Sequence, residues 1–168
     1  MTTSPVDDIL RHARAAYGDL RKPDYFFFRH AQENNPWAGL LKFLSARFKL
    51  EDWSDWEDGV GFSYEVRSRA DSKRSWSLWL SAVGPYAFLC ANAAVAETLR
   101  RQDVITSADE TDPDRAELVR ELHAAGATLL TADEIETTVD FTSFEGKYPA
   151  STFVLLFGEE DVPWWHES

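Results

Sequence analysis

The sequence predicts an α+β domain in which an antiparallel β-meander of three or more strands packs with N-terminal and C-terminal helices. Three observations carry that expectation. Apolar residues recur at helical spacing near both ends, in the sets Val6, Ile9, Leu10, Ala13, Ala16, Tyr17, Leu20 and Leu118, Val119, Leu122, Ala125. In the middle the period drops to two: Phe62, Tyr64 and Val66 alternate with Ser63, Glu65 and Arg67, and Trp76, Leu78 and Leu80 alternate with Ser75, Ser77 and Ser81. The third is supply. With 168 residues, 44% of them hydrophobic and 14% aromatic, the chain suits one domain over 1–168 that buries roughly 70% of its unfolded surface.

Each element has its own local signal. Ser4 caps a first helix that has Pro5 at its first position and Asp7 and Asp8 in its first turn; Lys22-Pro23 ends it. The run Tyr25–Phe28 is apolar without a clear period and reads as strand or buried turn. Trp37, Leu40, Leu41, Leu44 and Phe48 place a second helix at 36–48. The two alternating strands are joined by the polar hairpin loop 69–74. Gly84-Pro85 then turns the chain into a third strand at Tyr86–Ala91, where Trp79 is the one apolar residue on the polar side of its own strand. Helical character returns at 93–101. Asp112 caps a helix that opens at Pro113 and stops at Gly126, and Thr131 with Glu134 has the spacing of a capping box. Thr152–Phe157 reads as a buried strand closed by Gly158.

Charge narrows the function. The 29 acids against 17 bases give a net charge of −12, which repels nucleic-acid phosphates and anionic membranes and speeds encounter with basic surfaces. One cysteine, Cys90, excludes an internal disulfide and a cysteine-based zinc site, and its apolar surroundings mark a buried, inert thiol. The N-terminus lacks the basic and apolar regions of a signal peptide and no apolar run is long enough to span a bilayer, so the expected compartment is the cytoplasm. The four histidines are scattered; His30 and Glu33 share i, i+3 spacing but lack a second such pair. No nucleophile elbow, phosphate-binding loop or dinucleotide turn occurs. No catalytic, cofactor-binding or metal-binding residue is therefore assigned, and the expectation is a binding protein rather than an enzyme.

Two segments depart from ordinary surface composition. Residues 51–58 place five acids and two tryptophans in eight positions, and the C-terminal 159–168 repeats that chemistry. The residues singled out for partner binding are Asp52, Trp53, Asp55, Trp56, Glu57 and Asp58 in the first, and Glu159, Glu160, Asp161, Trp164 and Trp165 in the second. Tryptophan supplies contact area while carboxylates pair with Lys or Arg and raise the association rate. The competing reading is that these tryptophans cover the domain's own core. A third acidic group, Asp109, Glu110, Asp112, Asp114 and Glu117, stands at a helix entrance, where the helix dipole accounts for part of it.

In its length, its acid-and-Trp segments and its C-terminal run Leu118–Thr131 followed by Thr152–Phe157 and an acidic Trp-bearing tail, the chain resembles the immunity proteins of bacterial polymorphic toxin systems. That resemblance implies a cytosolic α+β protein that occludes the basic active-site surface of a cognate protein toxin, with no cofactor. Two other readings stay open on residues alone. One is a small-ligand pocket lined by Tyr25–Phe28 with Trp76 and Trp79. The other is an adaptor or chaperone for a secreted effector.

Overall fold

The computed structural model describes residues 4–54, 59–92 and 100–158. Helix α1 (Pro5–Tyr17) starts as the sequence predicts, with the Ser4 side chain accepting from the Asp7 N–H. It ends earlier than predicted. Gly18, at φ 77°, breaks it one residue after Tyr17, a backbone conformation that a residue with a Cβ resists. The aromatic run is neither strand nor turn: it opens helix α2 (Phe26–Glu33), with the Asp24 carboxylate accepting from the Phe26 N–H. Its missing period has a simple cause. Phe28 packs into one core and Phe27 touches both cores, while Phe26 stays in water.

Helix α3 (Ala38–Arg47) is shorter than the predicted 36–48, because Phe48 already starts a strand, β1 (Phe48–Asp52). Strands β2 (Gly61–Ser68), β3 (Ser75–Ser81) and β4 (Tyr86–Ala91) form the expected antiparallel meander. Strand β1 adds to it antiparallel to β2, and the short β5 (Thr128–Leu129) adds to it parallel to β4, giving the order β1-β2-β3-β4-β5. The predicted helix at 93–101 falls mostly outside the described residues; Arg101–Asp103 form one 3-10 turn.

Helix α4 (Pro113–Ala124) is capped by Asp112, and α5 (Ala132–Glu136) carries the full Thr131–Glu134 capping box. Ala125 is not part of the α4 stripe: it lies past the last helical residue and is exposed, and Ala116 takes the fourth inward place. A small hairpin of β6 (Thr138–Val139) and β7 (Ala150–Ser151) follows. The predicted strand at 152–157 is instead helix α6 (Thr152–Phe157). Ser151 caps it by accepting from the Val154 N–H, and Gly158 closes it in the left-handed conformation. Every residue of α6 is buried, so no polar face existed to reveal a helical period.

The sheet carries a core on each face. Phe62, Tyr64, Val66, Trp76, Leu78, Leu80, Ala87 and Leu89 face a layer built from α2, α3 and α4. Trp79, Phe88 and Cys90 face the other way, toward α1 and α6. Trp79 breaks the polar alternation of β3 for this reason: it lies under α6, its ring 5.6 Å from Phe153 and 5.5 Å from Phe88. Over β1 and the near half of β2 that second face carries Lys49, Glu51, Glu65 and Arg67 instead of a core.

Candidate functional site

The first acidic segment leaves the sheet at the end of β1. The Trp53 N–H donates to the Ser63 carbonyl at 2.8 Å, the last rung of the β1–β2 ladder. One residue on, the Asp52 carboxylate accepts from the Ser54 N–H at 2.9 Å, and the Ser54 hydroxyl accepts from the Ser63 N–H at 3.0 Å. These bonds pin the chain where it turns away from β2. Trp53 points out of this turn, 61% exposed, so it covers no core. Exposed Asp52 stands opposite Tyr64 in the ladder. Burial, and then the charge of Asp52, push the Tyr64 phenol up to about 12, against hydrogen bonds to Asn35 and Ser54 that lower it.

The other wall of this rim is α6. The Val60 N–H donates to the Phe157 carbonyl at 3.2 Å, and the Ser81 hydroxyl donates to the Leu156 carbonyl at 2.7 Å. Ser81 also accepts, through its own carbonyl, from the buried Trp37 indole N–H at 2.8 Å. Gly61 lets α6 come this close: a Cβ there would stand 2.8 Å from the Leu80 carbonyl oxygen and 3.4 Å from the Phe157 Cα. The fold thus joins two points far apart in sequence. One residue, Gly59, separates Val60 from segment 55–58, and one residue, Gly158, separates Phe157 from segment 159–161. The described residues that flank the two acidic segments thus meet on one rim.

Of the residues singled out in the sequence, Asp52 and Trp53 are described, and both are exposed on this rim. Asp55, Trp56, Glu57, Asp58, Glu159, Glu160, Asp161, Trp164 and Trp165 lie outside the described residues. The third acidic group is occupied within the fold. Asp112 caps α4 and pairs with Arg74, Asp114 also pairs with Arg74 and accepts from Ser68, and Glu117 pairs with Arg47 at 2.8 Å. His30 and Glu33 are exposed on α2, and among the described residues no group of three or more His, Cys, Asp or Glu side chains is placed to hold a metal ion. Cys90 is fully buried, and burial pushes its thiol up to about 12.

A second exposed cluster carried no sequence signal. Phe144, 59% exposed, meets the edge of the Tyr25 ring at 5.5 Å. Tyr148 stacks beneath the Arg21 guanidinium, and both bond to Asp140. The hydrogen bond from Tyr148, with Arg21 beside it, holds the Asp140 carboxyl below its usual range. Trp76 and Trp79, expected to line one pocket with Tyr25–Phe28, belong to opposite faces of the sheet.

No helix among the described residues is long and apolar enough to cross a membrane. Comparison with protein-family models, with curated proteins and with solved structures returned no match.

Proposed function

We propose that this chain is an immunity protein: a binding protein, not an enzyme, that neutralises a cognate bacterial toxin by laying an acidic, Trp-bearing rim over the toxin's basic active-site surface. The observation that carries the reading is the position of Trp53. A tryptophan held in water by a fixed turn, beside Glu51 and Asp52, contributes nothing to the core and has the form of a binding anchor. The meeting of the residues that flank segments 55–58 and 159–161 supports it further, since acids counted separately in the sequence then serve one surface. A net charge of −12 adds long-range attraction toward a basic cleft. The proposed contacts are Asp52, Trp53, Asp55, Trp56, Glu57, Asp58, Glu159, Glu160, Asp161, Trp164 and Trp165, and the proposed setting is the cytoplasm.

The test uses charge reversal at Asp55, Glu57, Glu159 and Glu160, with affinity for the candidate toxin measured at low and high salt. The reading requires weaker binding in the variant and a salt dependence that shrinks with it. Equal affinity of variant and wild type at both salts contradicts it.

A further inference from the structure

Among the described residues the outer edge of β1 is an unpaired strand edge, and it has a distinctive charge order. At the far side of the sheet β4 is covered, by β5 and by the bridge of Val104 to Cys90. Among the described residues no strand pairs with the outer side of β1. The Trp53–Ser63 bond sets the alternation, so Lys49, Glu51 and Trp53 turn their backbone groups toward β2. Leu50 and Asp52 turn theirs outward.

Within the chain the side chains of this strand are badly matched. Lys49 stands directly opposite Arg67, and Glu51 directly opposite Glu65. Like charges in facing positions are unfavourable. Glu65 and Arg67 answer by pairing with each other along β2, whereas no ion pair to Lys49 or Glu51 is formed among the described residues.

We propose that β1 pairs antiparallel with β1 of a second copy of the chain, about a two-fold axis through Leu50, extending the sheet across a homodimer. The segment Phe48-Lys49-Leu50-Glu51-Asp52 is its own complement in that register. Leu50 exchanges both backbone bonds with Leu50 of the second copy, and the Asp52 N–H reaches the Phe48 carbonyl of the second copy. Lys49 then faces Glu51 of the second copy, and Glu51 faces its Lys49. These are non-hydrogen-bonded positions, where facing side chains come closest. Charges that are opposed within one chain are neutralised between two. Asp52 belongs to both surfaces, but it enters this dimer through its backbone alone, and the dimer is argued from β1 and tested without any toxin.

The experiment is sedimentation velocity on the full chain over a wide concentration series, with Lys49→Glu, Glu51→Lys and the double exchange. Wild type is expected to dimerise with concentration. Each single variant puts like charges in both facing pairs and weakens the dimer by about ten- to a hundredfold. The double exchange restores it, and the two single variants mixed together form a heterodimer that neither forms alone. Each single variant removes one like-charge contact with β2, so thermal stability at or above wild type shows that the fold is intact. A wild type that is monomeric throughout, single variants that dimerise like wild type, or a mixture that fails to associate would each overturn the proposal.

Discussion

Replacing Gly61 by alanine tests the contact on which the rim depends. The added methyl would stand 2.8 Å from the Leu80 carbonyl oxygen, a separation that real Cβ atoms do not show, with Phe157 Cδ1 at 3.3 Å and Phe157 Cα at 3.4 Å. Two of these three neighbours are backbone atoms, one in the β2–β3 ladder and one in fully buried α6, so neither retreats at low cost. Forcing a methyl into such a contact costs about 1–3 kcal/mol. The lost freedom of glycine in the unfolded chain returns about 0.4–1 kcal/mol. The net destabilisation is about 1–2 kcal/mol, which lowers Tm by about 2–8 °C for a chain of this length. Urea and thermal unfolding measure it. Gly39→Ala is the control: it lies in exposed α3 with nothing within 4 Å of its Cβ, and is expected to stabilise by about 0.5–1 kcal/mol. A Gly61→Ala protein as stable as wild type would refute the close seating of α6 on β2, and with it the meeting of the residues that flank the two acidic segments.

Two further expectations follow from the core. Phe153, fully buried between Trp79, Phe88 and Phe157, costs about 3–5 kcal/mol when cut to alanine, read from the urea midpoint; a loss below about 1 kcal/mol contradicts the helical placement of 152–157. The Cys90 thiol and the Tyr64 phenol are both raised by burial to about 12, so their neutral forms are favoured in the folded state. Their contribution is complete below the unfolded values and is lost as pH rises from about 9 through about 12. Unfolding free energy should therefore fall across that range, and a thiol reagent at neutral pH should label Cys90 only on unfolding. Rapid labelling of the native protein would contradict the burial.

The elements legible in the sequence are those whose signals are local. Ser4-Pro5, Asp112-Pro113 and Thr131 with Glu134 mark helix starts through one or two local hydrogen bonds, and all three form where expected. The meander is legible because β2 and β3 bury one face along their whole length. Signals failed where burial is two-sided. Thr152–Phe157 has one polar residue, Thr152, among six buried ones, and the features that decide for helix, the Ser151 cap and the left-handed Gly158, flank the run. Strand β1 was hidden because Phe48 completes the apolar spacing of α3 while also opening the strand, and β5 is too short to carry a period. Composition alone pointed to segment 51–58, but it did not decide whether Trp53 faces core or water. That depends on Asp52, Ser54 and Ser63 fixing the turn, and Ser63 lies on another strand. The contact of Val60 with Phe157 is likewise a tertiary fact.

Trp53 gives the most direct measurement of the central claim. The chain is co-expressed with a candidate toxin-domain protein, such as the product of a neighbouring gene, as wild type and as Trp53→Ala. Growth rescue and complex affinity are read together with a check of native stability. Wild type is expected to rescue growth and form a stable complex. The variant, altered at one exposed position, should keep its Tm while losing about 2–4 kcal/mol of binding free energy, roughly thirty- to a thousandfold in Kd. Undiminished affinity and rescue in the variant, or no complex with the wild type, would contradict an acidic rim anchored by Trp53.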